Sequence, residues 1–168
     1  MAIVAIGIGF AIATSKAPNA AALTIDGIQC NNVEQLVFHN HVHLDIFING
    51  QPFTIPSQIG ILPGKCFYWL HTHDESGTIH IESPIAKNYT IGQFFDIWKN
   101  TVGNTPIFSN NNITNGQGNT TIAYVNGNKL NSGIDPMNIK LNEHDEIAIV
   151  YGKPPNNIPS RYSFSQGT

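Results

Sequence analysis

The chain has 168 residues, 41% of them hydrophobic but only 11% charged, with a formal net charge of −3. That length suits one compact domain with a real core plus a terminal segment, and Asn, Thr, Ser and Gln replace much of the charge that ordinary domains carry on their surface (about a quarter of residues). No basic run exists to neutralise phosphates, so nucleic acid is excluded as a partner on electrostatic grounds.

Met1 to Thr14 is almost wholly apolar and is broken by Ser15-Lys16-Ala17-Pro18. A run of that length cannot span about 30 Å of hydrocarbon. It fits the apolar region of an export signal, with Asn19-Ala20-Ala21-Ala22 offering a cleavage site. No charged region precedes it, so residues 1–22 are expected to be either a signal peptide or an N-terminal membrane anchor. Two further features agree with an extracytoplasmic location. Asn88-Tyr89-Thr90, Asn112-Ile113-Thr114 and Asn119-Thr120-Thr121 are glycosylation sequons. The two cysteines, Cys30 and Cys66, form an even pair that an oxidising compartment joins as a disulfide.

The remaining chain reads as one β-rich domain over residues 23–153 and a flexible Pro/Ser/Gln-rich tail over 154–168. Strands are expected at Ala22 to Ile28 and Leu36 to Ile48, the latter closed by the hairpin dipeptide Asn49-Gly50 and followed by a return strand, Gln51 to Ile55. Pro56 and Pro63-Gly64 bound an irregular stretch. Cys66 to His73, the turn Asp74-Glu75-Ser76-Gly77 and Thr78 to Glu82 read as a second hairpin. Thr90-Ile91-Gly92-Gln93 is a capping box opening a helix. Ile91, Phe94, Phe95 and Trp98 recur at helical spacing and give it one apolar face. Thr101 to Gly118 is an Asn/Gly-rich surface loop. Thr121 to Val125, a hairpin signal at Asn126-Gly127, a turn at Asn142–Asp145 and a last strand, Glu146 to Tyr151, complete the domain.

Strand runs around a single helix predict an α+β fold with an antiparallel or mixed sheet. The helix opening Thr-Ile-Gly-Gln-Phe-Phe, followed by NEHDEIAIVYG, resembles the second half of β-grasp domains over roughly the last third of the core.

Six of the seven histidines lie between positions 39 and 80. In His39-Asn40-His41-Val42-His43 the alternation of strand side chains puts three rings on one face, and Leu44, Ile46 and Ile48 continue the opposite, apolar one. His71-Thr72-His73 does the same for two rings. If Glu75 and Ser76 are the turn, His71 faces His80 across the ladder, and His71, His73 and His80 make a triangle of imidazoles. A turn one residue longer would send His80 to the other face. Glu82 then points toward the rings and can orient one through its N–H, with Asp74 flanking the group. Six imidazoles in so uncharged a region would leave many nitrogens without partners. The arrangement points to a metal ion held by His39, His41, His43, His71, His73 and His80. All-imidazole ligation suits Zn or Cu. Cys66 lies an odd number of positions from His71, and no Cys-His-Met run exists, which disfavours a blue-copper site. The cupin spacing fails because Glu75 follows His73 too closely. His144 stands in a polar turn and reads as a surface residue.

CFYWLHTHDESGTIHIESP, followed by YTIGQFFDIW, resembles an uncharacterised family of exported prokaryotic His-rich proteins, with an H-x-H-x-H strand and a Y-W-L-H-T-H-D-x-S-G-x-I-H-I-E hairpin. The resemblance covers roughly Cys30 to Trp98. It implies no reaction, but it places His39, His41, His43, His71, His73, His80 and Glu82 in one pattern. His41-Val42-His43 resembles the H-V-H of copper–zinc superoxide dismutases, whose remaining motifs are absent. Three roles stay open: a carrier, buffer or sensor of Zn or Cu; a zinc lyase or hydrolase, because an H-x-H strand beside a third histidine resembles the ligand arrangement of α-type carbonic anhydrases; or a type-2 copper redox protein.

Overall fold

A computed structural model of the chain describes residues 23–103 and 121–165. The apolar N-terminal run and most of the expected Asn/Gly-rich loop, with the sequons at Asn112 and Asn119, lie outside those residues. The fold is α+β: β-rich, with one main helix and both antiparallel and mixed sheets.

The expected single strand over Ala22 to Ile28 is instead a hairpin of β1 (Thr24–Ile25) and β2 (Ile28–Asn31). Asp26-Gly27 between them takes positive φ at both positions, the backbone that a two-residue turn requires. The long strand β3 (Phe38–Ile48) ends at Asn49-Gly50, as its turn chemistry demands, and β4 (Gln51–Phe53) returns beside it. After β5 (Ile61–Leu62), the expected strand Cys66 to His73 is broken into β6 (Cys66–Tyr68) and β7 (Leu70–His71). Trp69 is the break: its amide donates to the Gln29 carbonyl of β2, while its own carbonyl accepts from Glu82 of β8 (Thr78–Ser83). One stretch of chain thus serves two sheets. Beyond these come α1 (Ile91–Thr101), β9 (Thr121–Val125), β10 (Asn128–Lys129) and β11 (Glu146–Tyr151).

The smaller sheet has the order β1-β2-β6-β5, and the Cys30–Cys66 disulfide joins its two middle strands. The larger runs β10-β9-β11-β3-β8-β7, with β4 continuing the β8 edge of β3. Its centre is the parallel pair β11 and β3, in which Glu146 lies beside His43. This order is not enough to assign the sheet to the β-grasp domains.

Helix α1 carries the expected capping box, with Thr90 and Gln93 each accepting from the other's backbone amide. Ile91, Phe94, Phe95, Ile97 and Trp98 are buried in one core with Val42, Leu44, Ile46, Ile79, Ile81, Ile147 and Ile149. Each such side chain contributes about 1.5–3 kcal/mol on full burial. The alternate residues of β3 point the other way. At one end of that second face Phe47, Ala148 and Val150 form a small apolar cluster with Ile122, Tyr124 and Ile158. At the other end stand the histidines. The two faces of one strand therefore separate the core from the candidate site.

Gly77 fixes the connection into β8. Its φ is +87°, and a Cβ there would lie 2.5 Å from the Leu44 carbonyl oxygen and 3.1 Å from His43 Nε2. Gly77→Ala is expected to destabilise the protein by at least about 2 kcal/mol, from left-handed backbone strain plus the clash, as measured by urea unfolding. Reducing the Cys30–Cys66 bond, which closes a loop of sequence separation 36, is expected to remove about 4 kcal/mol in the chain-entropy model. The same unfolding curve, taken with and without reductant, measures it.

Candidate metal centre

The histidines meet because three strands lie in register. His41 of β3 is paired with His80 of β8, and His80 in turn with His71 of β7. Directly opposed residues share a face, so three imidazoles form a row across the sheet. The pairing of His71 with His80 is the one the short-turn reading requires. The ladder, however, stops at His71, and residues 72–77 form the connection. His73 is off the strand but its ring still turns back: His73 Nε2 lies 3.2 Å from His71 Nε2.

His71 is fully buried. Its Nδ1–H donates to the Tyr68 carbonyl at 2.8 Å, which fixes the tautomer and leaves the Nε2 lone pair facing the cluster. Burial pushes this ring's pKa from 6.5 down to about 4, against the opposing pull of the Tyr68 carbonyl and Glu82. On the other side of His80, His41 Nε2 and His80 Nδ1 are 3.0 Å apart. His41 is likewise pushed from 6.5 to about 4, first by burial and then by His80 and His39. Both rings are therefore neutral at neutral pH, the form in which imidazole binds metal.

Glu82 lies among the rings and is only 4% exposed. Its Oε1 is 3.3 Å from His39 Nε2, 3.6 Å from His80 Nδ1 and 4.0 Å from His71 Nε2. Burial opposes its ionisation, but His80, His71 and His39 outweigh that and hold its pKa below the usual carboxylate value. Its Oε2 is buried without a hydrogen-bond partner, a costly state for a carboxylate oxygen unless something else meets it. Glu34, from the loop before β3, adds a second carboxylate 3.5 Å from His73 Nε2 and 3.9 Å from His71 Nε2. Among the described residues, the ligand atoms of His71, His73, His80 and Glu82 lie within 4.8 Å of one another, and so do those of His39, His41 and His80. These groups could hold a metal.

His43 stands apart. On the same face of β3, it turns toward β11, where Nδ1 is 2.8 Å from Glu146 Oε2, while Nε2 donates to the Ser76 carbonyl at 2.8 Å. Both ring nitrogens thus face oxygen acceptors. Burial acts to lower its pKa, but Glu146 and the Ser76 carbonyl prevail and raise it above 6.5. Both ring nitrogens are occupied while these bonds last, although with Asp45 and Glu146 the ring also forms a third group of potential ligands. Tyr162 stacks on it at 3.8 Å between ring centroids, nearly parallel.

Asp74 accepts the Ser76 amide at 2.9 Å, a turn-capping role, and so keeps clear of the ring nitrogens. His144 is exposed, but its amide donates to the His41 carbonyl at 2.7 Å and its ring stacks on Phe164. The C-terminal segment thus lies over this face, and a cavity of about 320 Å³ opens between it and the hairpin, lined by Asp74, Thr78, His80, Tyr162 and Phe164. Glu34, Glu146 and Tyr162 were not foreseen from sequence. Glu34 and Tyr162 belong to no periodic pattern, Glu146 opens the expected last strand, and each reaches its histidine only through a long-range contact.

No protein-family model, curated protein or solved structure matches this chain.

The pH dependence follows from the two buried neutral rings. Between pH 6.5 and about 4 the unfolded chain protonates His41 and His71 while the folded protein does not. The unfolded state then binds more protons, so stability must fall as pH falls through that window. Melting curves of chelator-treated protein are expected to shift down across it, and His41→Asn to remove roughly half of the shift.

Proposed function

We propose that this chain is an extracytoplasmic protein that binds Zn(II) or Cu(II) on His71, His73 and His80, with Glu82 as a fourth donor. The observation that carries the reading is the 3.2 Å separation of His71 Nε2 and His73 Nε2, with the opposite nitrogen of His71 committed to a backbone carbonyl. Two nitrogens each 2.0–2.1 Å from a tetrahedral ion lie about 3.3 Å apart, so little movement is needed. The unpartnered Glu82 Oε2 and a donor set of imidazole with carboxylate suit a borderline metal. The Cys30–Cys66 disulfide supports an oxidising compartment, as does the apolar N-terminal run.

A second reading, a zinc lyase or hydrolase, is favoured by the cavity beside His80. Three neutral histidines can leave a coordination position for water, whose ionisation near pH 7 would supply a nucleophile, and the cavity would admit a small polar substrate. Carrier and enzyme share the same ligands.

Protein prepared without an affinity tag is expected to bind Zn(II) tightly, with a rise in melting temperature that a chelator reverses. At a hundredfold excess over Kd the gain is about 2.7 kcal/mol. His71→Ala combined with His73→Ala should lower the stoichiometry in native mass spectrometry by at least one ion per chain, and unchanged stoichiometry rejects the reading.

A further inference from the structure

The donors around His80 are more numerous than one ion needs. Five imidazoles, from His39, His41, His71, His73 and His80, share the face with Glu82 and Glu34, whereas Zn(II) in a protein takes about four ligands. Their placement is also two-sided. β8 is the middle strand of three, so His41 lies one strand away from His80 and His71 one strand away on the opposite side. The ligand atoms of His41 and His71 accordingly fall in separate groups, linked through His80, so the face presents two ligand sets rather than one.

Each flank is nearly a ligand set of its own. On one side His71 Nε2 and His73 Nε2 are 3.2 Å apart, and Glu34 Oε1 lies 3.5 Å from the latter. On the other, His41 Nε2 is 3.0 Å from His80 Nδ1, and the ligand atoms of His39, His41 and His80 lie within 4.8 Å of one another. His80 belongs to both groups. Glu82 sits between them, buried, with one oxygen facing His39, His80 and His71 and the other without a partner. A carboxylate so placed can bind one ion through each oxygen.

We propose that the site is dinuclear: a second transition-metal ion binds on His39 and His41, beside the first on His71, His73 and His80, and the carboxylate of Glu82 bridges the two. The proposal rests on the single-centre reading and goes beyond it in number and in ligands. The carboxylates of Glu82 and Glu34 offset part of the doubled positive charge. His43 takes no part, because both of its nitrogens are committed to Glu146 and Ser76.

The test is a titration of the tag-free full chain with zinc chloride, read by native mass spectrometry. Two ions per chain are expected. His39→Ala with His41→Ala should remove one and leave the other, and so should His71→Ala with His73→Ala. One ion in the wild-type protein overturns the dinuclear centre while leaving the single-centre reading intact, and no ion overturns both. Two ions that survive the His39/His41 substitutions also overturn the proposal. A readout independent of any variant is the electron paramagnetic resonance of wild-type protein loaded with two equivalents of Cu(II). Adjacent ions couple magnetically and give less than the signal of two isolated ions, whereas a full uncoupled signal places the ions apart and overturns the pair.

Discussion

The register of β3, β8 and β7 governs this structure, because it places His41, His80 and His71 in one row across the sheet. A strand has only two faces, so the residues between them, Val42, Ile79, Ile81 and Leu70, are committed to the core in the same stroke. A slip of one residue would bury imidazoles among isoleucines and expose the isoleucines to water. The apolar core thus holds the histidines in place, and no interaction among the rings themselves has to do so.

That arrangement has an electrostatic consequence. Rings packed this closely cannot all carry protons, and those shielded from water, His41 and His71, are held neutral. Glu82 remains ionised among them because its neighbours offer it N–H groups and partial positive charge. The result is a cluster of imidazole nitrogens around one buried carboxylate whose second oxygen has no hydrogen-bond partner, a stability cost that the protein retains. Buried polar groups with incomplete partners usually mark function.

His43 shows how strongly local partners decide a residue's role. It shares a strand and a face with His39 and His41, yet the parallel pairing of β11 brings Glu146 beside it, and the ring becomes a hydrogen-bonded strut between β3, β11 and the Ser76 turn. Tyr162 then stacks on that ring, and Phe164 on His144. The C-terminal segment is in this way drawn over the histidine face, where it forms one wall of the cavity beside His80.

Several of these features were legible in the sequence because they depend on short-range rules. Turn chemistry at Asn49-Gly50 and Asn126-Gly127, the capping box at Thr90 and Gln93, and the alternation that separates His39, His41 and His43 from Val42 and Leu44 are all set by neighbours within a few residues. The Asp26-Gly27 hairpin was equally local, and its dipeptide was a signal that the strand reading passed over. The break at Trp69 was of another kind: nothing in Cys66 to His73 announces that half of it pairs with β2 and half with β8. Which histidines meet, and which one is taken by Glu146, was decided by pairing between strands as far apart as His43 and Glu146, 103 residues, and the approach of Glu34 and Tyr162 by the packing of segments outside the strands. The sequence alone determined the residue types and the face each would occupy, since side-chain alternation is a property of a single strand. Only the tertiary structure decided their partners, because strand order and the parallel β3–β11 pairing depend on how the whole core packs.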